Sequence, residues 1–286
     1  MSELSDIKVT DRFSLTGKAF VITGGARGIG FATAKAIAQL GGSVALIDVL
    51  DKPVDEFDTL TKRFNVKASY QRADITDQKS LETAFDESVK AMGGQIHGGV
   101  CGAGININQP LIEADWDYSL KLLQVNLMGT YWTAKLIAKH LAETKTPGSI
   151  VCIASLSGQG IHIPVQDAAI YNASKAGIKG MMGPLAVELG KYGIRINSVS
   201  PGAIHSPMTA SLEQDAPQLL KWFKDAAPVQ RMGVPEDITP TICLLLSDAG
   251  AFTTGADMVI TGGIHAGRND FVLPGEGAQW LQSATK

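Results

Sequence analysis

No stretch of the 286 residues strings together the roughly 18–20 apolar positions that a bilayer-spanning helix needs, so a membrane protein is not expected. Neither sign of charge dominates: Lys and Arg total 25, Asp and Glu 28, for a net charge of −3. That balance carries no electrostatic footprint for nucleic acid or an anionic membrane. Cysteines number only three (Cys101, Cys152, Cys243), each inside an apolar run. They read as buried reduced thiols rather than a disulfide framework. The five histidines, at 97, 140, 162, 205 and 265, show no ligand spacing, and no catalytic metal is expected. Internal repeats and low-complexity tracts are also missing. The first residues lack an apolar signal core and the last match no retention or peroxisomal address, so a cytoplasmic location is expected. What is plentiful is glycine, 31 residues against an average usage of about 7%.

Short apolar, β-branched-rich runs at 19–23, 44–49, 99–103, 150–154, 194–200 and 258–261 predict strands covered on both faces, with a further strand over 68–73. Helical patterns run over 29–39, 79–92, 116–141 and 171–189, with a pair between 216 and 246. Strand–helix alternation at this spacing implies right-handed crossovers and a single α/β domain, a Rossmann-type doubly wound parallel sheet of about seven strands with helices on both faces. Residues 1–13 are expected to be a polar arm, 14–265 the domain and 266–286 a surface tail.

The first strand runs directly into Thr23-Gly24-Gly25-Ala26-Arg27-Gly28-Ile29-Gly30 and then a helix. Glycines here allow a tight turn and close approach of backbone to a pyrophosphate, which the helix N-terminus also favours. Asp48 ends the next strand, close to the roughly 20 residues past the loop where an acidic ribose ligand belongs. A carboxylate there accepts both adenosine ribose hydroxyls and repels a 2′-phosphate, so NAD is expected over NADP. Arg27 argues the other way and is outweighed, because Asp48 is placed against the 2′ position. Asp74 and Ile75 follow the third strand and are placed to flank the adenine, with a turn aspartate as the alternative.

Tyr171 and Lys175 fall at i and i+4 on one helix face. A phenol with a pKa near 10 is a poor acid–base group at neutral pH, and a neighbouring ammonium draws it towards the working range. The pair follows a strand that ends in Ser155, on the same sheet edge as the glycine loop.

Together these motifs resemble the classical short-chain dehydrogenases/reductases over roughly residues 15–266. The resemblance rests on the glycine loop, Asp48, Asn126 in Val-Asn-Leu-Met-Gly-Thr, Ser155, Tyr171-x-x-x-Lys175, Pro201-Gly202, the stretch Arg231–Asp237 and Gly262-Gly263. The run from Ser155 to Tyr171 is most similar to the fungal polyol and carbonyl reductase branch. The resemblance implies that Tyr171 exchanges a proton with the substrate oxygen while Lys175 lowers its pKa and holds the nicotinamide ribose. It implies that Ser155 polarises the substrate oxygen, and that Asn126 fixes a helix irregularity and a water on the proton relay. Ala103 and Gly104 would contact the cofactor through backbone; beyond Pro201 and Gly202, Ile204 backbone and the Ser206 hydroxyl would meet the nicotinamide amide. A dimer or tetramer, built on helices 116–141 and 171–189, is expected on the same grounds.

Three departures from the family pattern stand out. Cys101-Gly102-Ala103-Gly104 replaces Asn-Asn-Ala-Gly, Ser206 replaces threonine, and Ser155 lies further ahead of Tyr171 than usual. Ser157 is therefore a rival, although Ser155 with Gly158 better matches Ser-x-x-Gly. The substrate pocket is expected from 158–166, 104–109 and a lid over about 203–227, where Trp222 and Phe223 either line an apolar pocket or anchor the lid. His162 and His205 read as exposed loop residues, with contact to substrate as the alternative. The function expected is NAD(H)-dependent interconversion of a secondary alcohol and a ketone. An NADP(H)-dependent ketoreductase is the alternative, and a non-redox isomerase, cyclase or cofactor sensor is the different-class one.

Overall fold

The computed structural model describes residues 8–106, 108–160, 167–210 and 217–267. Seven parallel strands form one sheet: β1 (Ala19–Thr23), β2 (Ser43–Asp48), β3 (Ala68–Arg72), β4 (Gly98–Cys101), β5 (Gly148–Ile153), β6 (Ile194–Pro201) and β7 (Asp257–Ile260), in the order β3-β2-β1-β4-β5-β6-β7. The eight α-helices among the described residues are α1 (Gly28–Gln39), α2 (Phe57–Phe64), α3 (Gln78–Ala91), α4 (Trp116–Leu123), α5 (Thr130–Glu143), α6 (Ala169–Gly190), α7 (Pro217–Ala226) and α8 (Pro235–Leu246).

The apolar runs of the central strands feed two cores at once, because side chains alternate across a strand. From β1, Val21 points into a core shared with α3, α5 and α6, while Phe20 and Ile22 enter the core under α1 and α8. From β2, Ala45 and Ile47 join the first and Val44 and Leu46 the second. Each fully buried Phe, Leu or Ile contributes roughly 1.5–3 kcal/mol, which explains why a doubly covered sheet tolerates so little polarity in its strands.

Several boundaries differ from those the pattern predicts. β4 stops at Cys101, because Gly102, Ala103 and Gly104 leave the sheet for the cleft at its edge. β7 is an edge strand, half-buried along its length rather than covered on both faces. The predicted helix 116–141 is interrupted: a π-helical segment, Gln124–Gly129, separates α4 from α5. Short amphipathic α2 had no counterpart in the prediction.

Strand order reverses between β1 and β4, and at such a switch point the loops beyond the strands' carboxyl ends part to leave a cleft.

Candidate active site

The glycine loop and the loop after β4 meet across this switch point. Gly24 has φ +69°, and a Cβ on it would stand 2.7 Å from the Ala103 nitrogen. A Cβ on Gly30 would lie 2.0 Å from the Gly24 carbonyl oxygen, so α1 is packed directly onto its own loop. Space above Gly28 is bounded only by Pro207 Cδ at 3.6 Å and Ser206 Cβ at 3.9 Å, which brings the Ser206 loop opposite the glycine loop. This cradle, which side chains would fill, suits the diphosphate of a dinucleotide. Gly28 and Ile29 open α1 there, with Arg27 as its exposed N-cap.

Asp48 turns towards the same loop. Its carboxylate accepts from the Ala26 N–H at 3.0 Å and the Leu50 N–H at 3.2 Å, one bond to each oxygen. The Tyr70 hydroxyl donates to the Leu50 carbonyl at 2.6 Å, tying the segment after β2 to β3. Asp74 is exposed and closes a turn, its Oδ1 accepting from the Thr76 N–H and hydroxyl at 2.9 and 2.7 Å. Neighbouring Ile75 packs into the space over Gly129.

The reactive set lies on the other side of Gly104. A Cβ on Gly104 would be 3.3 Å from Asn126 Oδ1 and 3.5 Å from Lys175 Nζ. Asn126, fully buried in the π-helical segment, accepts from the Ile105 N–H at 2.8 Å and donates to the Ile105 carbonyl at 2.9 Å. Its amide also donates to Ser174 Oγ at 3.2 Å, and Ser174 donates to the Tyr171 carbonyl at 2.7 Å. Asn126 therefore joins the loop after β4 to the helix that bears Tyr171. Ser174 was not singled out from sequence, although it sits within the Tyr171–Lys175 motif at the spacing that points inward.

Tyr171 is 9% exposed and Lys175 4%. Burial pushes the Tyr171 phenol above its ordinary range, and a hydrogen bond with Ser155 opposes that rise. Ser155 is the serine whose hydroxyl acts on the phenol, whereas Ser157 is buried and donates its N–H to Ser155 Oγ at 3.1 Å. Lys175 Nζ donates to the Ile153 carbonyl at 2.9 Å and lies 5.8 Å from the Tyr171 ring centre. Burial drives its pKa down to about 8, with Cys152 pulling weakly upward. Cys152 pairs in register with Cys101 below, and all three cysteines are free and buried.

Pro201 ends β6, and Gly202 leads on to buried Ile204, which bridges to Gly233. The Ser206 N–H donates to Thr209 Oγ1 at 3.0 Å, and Thr209 in turn donates to the Ile204 carbonyl at 2.8 Å. On α7, Phe223 is buried among Leu156, Leu219, Met232 and Ile264, and Trp222 meets it edge-on at 5.5 Å. Phe223 thus anchors this part of the predicted lid. His205 is exposed. His162, the stretch 161–166 of the expected pocket, residue 107, residues 211–216 of the lid, residues 1–7 of the arm and residues 268–286 of the tail lie outside the described residues. Among the described residues no group of His, Cys, Asp and Glu has the arrangement of a metal site, and no helix is long and apolar enough to cross a membrane.

A buried phenol beside a glycine-lined cleft at the switch point of a parallel sheet is the equipment of a nucleotide-dependent oxidoreductase. The enoyl-(acyl carrier protein) reductase family model matches residues 24–265. Sorbose reductase sou1 of Schizosaccharomyces pombe is 34% identical over 257 residues, covering 89% of this chain and 98% of that protein. A probable NADP-dependent mannitol dehydrogenase of Yarrowia lipolytica is 35% identical over 261 residues, covering 89% and 90% respectively. Among solved structures, a short-chain type dehydrogenase/reductase from Mycobacterium marinum superposes with a TM-score of 0.83 at 32% identity, covering 90% of this chain and 99% of that one. The chain belongs to the short-chain dehydrogenase/reductase family, as its motifs predict. It is an oxidoreductase of the alcohol dehydrogenase/ketoreductase type, which disfavours the non-redox readings.

Proposed function

We propose that the protein interconverts a secondary alcohol and a ketone of the polyol or ketose class, using NAD(H), with Tyr171 as the acid/base. The observation that carries this reading is the convergence of buried Tyr171 and Lys175, with Nζ 5.8 Å from the phenol ring centre, beside the glycine cradle and next to Ser155. Gly24, Gly28 and Gly30 would hold a dinucleotide in the cradle, where its chemistry would be hydride exchange with the carbinol carbon. Tyr171 takes the alcohol proton in one direction and returns it in the other. Ser155 hydrogen-bonds the same oxygen and stabilises the charge that develops on it. Lys175, held over the cleft by the Ile153 carbonyl, presents a cation to the nicotinamide ribose and to the phenol. Asn126 keeps the floor of the cleft in register with α6.

Preference for NAD rests on Asp48, whose bonds to the glycine loop aim a carboxylate where a 2′-phosphate would lie. The name of the Yarrowia relative favours the NADP alternative, as does exposed Arg27. The polyol class is supported by the names of both curated relatives. A cytoplasmic homodimer or homotetramer completes the reading.

The test is a panel of hexitols, pentitols and ketoses with each cofactor, followed by the absorbance of the reduced nicotinamide. Wild type should turn over one polyol–ketose pair with higher kcat/KM for NAD than for NADP, and Tyr171→Phe should lose at least about a hundredfold, the scale of general acid–base catalysis. Full turnover by Tyr171→Phe would overturn the mechanism. Higher kcat/KM with NADP would overturn the cofactor assignment alone.

A further inference from the structure

Ser155 opens a single 3-10 turn, Leu156–Gln159, and the far end of that turn is tied down by groups the reaction does not use. Gln159 Nε2 donates to Asp257 Oδ2 at 2.6 Å, and its Oε1 accepts from Lys179 Nζ at 2.5 Å. Lys179 also donates to the Gly158 carbonyl at 3.2 Å and stands 3.9 Å from Asp257 Oδ2. Asp257, the first residue of β7, is fixed in turn by two fully buried hydroxyls of β6: Ser198 donates at 2.6 Å and Ser200 at 2.8 Å. Two elements, α6 and β7, therefore converge on one side chain, Gln159, and β6 braces the second of them.

Lys179 lies one helical turn past Lys175 and two past Tyr171, on the same face of α6. The turn itself is pressed against that face, since a Cβ on Gly158 would come within 2.8 Å of the Lys175 carbonyl carbon. Apolar packing already secures the turn through Leu156. What apolar packing cannot fix is the rotation of a short turn about its own axis, and charge-assisted hydrogen bonds have the directionality to do so. We infer that Lys179, Gln159 and Asp257 form a clamp that positions Ser155 against Tyr171 and the substrate oxygen. These are positioning residues; they act through Ser155. The inference rests on the role proposed above for Ser155.

The experiment compares Lys179→Met, Gln159→Leu, Lys179→Arg and Ser155→Ala, each also combined with Ser155→Ala where applicable, in oxidation of mannitol with NAD and reduction of sorbose with NADH. Lys179→Met and Gln159→Leu should each lower kcat about tenfold, less than the roughly hundredfold that displacement of a positioned group by 1 Å produces. The KM for the dinucleotide should stay at the wild-type value. Lys179→Arg, which keeps a donor for Gly158 and Gln159, should restore most of the loss. On the Ser155→Ala background, Lys179→Met should add nothing, because the group it positions is gone. Additive losses, or wild-type kcat in both clamp variants, would overturn the clamp while leaving the role of Ser155 intact. Full activity of Ser155→Ala would overturn the proposed mechanism itself, and the clamp with it. A crystal structure of Lys179→Met decides the matter without any substrate: the Leu156–Gln159 turn should rotate and carry Ser155 Oγ away from the Tyr171 phenol, and an unmoved Ser155 side chain refutes the clamp.

Discussion

Burial of Lys175 lowers its pKa from 10.5 to about 8, and that shift is a statement about stability as well as about reactivity. Below pH 8 the lysine is charged in both the folded and unfolded chain, and the fold carries the full penalty of a buried ammonium. Between pH 8 and 10.5 the folded lysine loses its proton first, the unfolded chain binds more protons, and stability rises with pH. At 1.36 kcal/mol per unit the penalty is on the order of 3 kcal/mol. Lys175→Met should therefore raise Tm at pH 7, measured without added dinucleotide, while activity is lost. The gain should shrink to nothing by pH 10.5. A Tm at or below wild type at pH 7 would mean that the bond from Nζ to Ile153 outweighs the desolvation. Tyr171 and Lys175 were legible in the sequence because a helix places i and i+4 on one face. Their energetics were not, since the sequence suggests that Lys175 pulls the phenol down, whereas within the chain the opposing hydrogen bond comes from Ser155. Lys179, Gln159 and Asp257 were illegible for a related reason. They are common polar residues far apart in the chain, and only the parallel pairing of β6 with β7 brings Asp257 to Gln159.

At the scale of elements, the strands were readable because double coverage forces runs such as Phe20-Val21-Ile22 to be apolar throughout. β4 was overextended because Gly102 and Ala103 continue its small, apolar character after the backbone has left the sheet. The interruption between α4 and α5 left no mark on the hydrophobic period. It follows from the Asn126 side chain, which satisfies both backbone groups of Ile105 and reaches Ser174 as well; π-helical segments of this kind gather at functional sites. Replacing Asn126 with alanine leaves the N–H and carbonyl of half-buried Ile105 without their partner, at a cost below the roughly 1–3 kcal/mol each of fully buried groups. Asn126→Ala should thus lower the urea midpoint by an amount equivalent to roughly 1–3 kcal/mol at unchanged m-value, and kcat should fall with it. Unchanged stability would show that the helix seam is set by backbone packing alone, and that Asn126 is there only for chemistry.

The molecule as a whole exposes apolar surface that no described element covers. α5 and α6 lie side by side with their outer faces open, enclosing a groove of about 300 Å³ lined by Tyr131, Ala138, Leu185, Leu189 and Tyr192. Val187 on α6 is 84% exposed, and Trp116, at the start of α4, is 79% exposed. Single exposed apolar residues are ordinary in a monomer, so the oligomer expected from the family resemblance is tested on this face, where Tyr131 and Val187 stand beside Lys135, Lys139, Glu143 and Glu188. With a net charge of only −3, little long-range repulsion opposes self-association. A two-fold interface would place the same α5–α6 face of each subunit against the other, so that any charge introduced there meets its own copy. Wild type should therefore sediment at two or four times 30.2 kDa, and the double substitution Tyr131→Arg, Val187→Arg should shift the species towards 30.2 kDa. Neither residue belongs to the cleft, so binding of NAD to the dissociated variant should persist within a few-fold. A wild type that sediments at 30.2 kDa at micromolar concentration removes the proposed homo-oligomer, whereas an unchanged oligomer in the variant moves the interface away from this face.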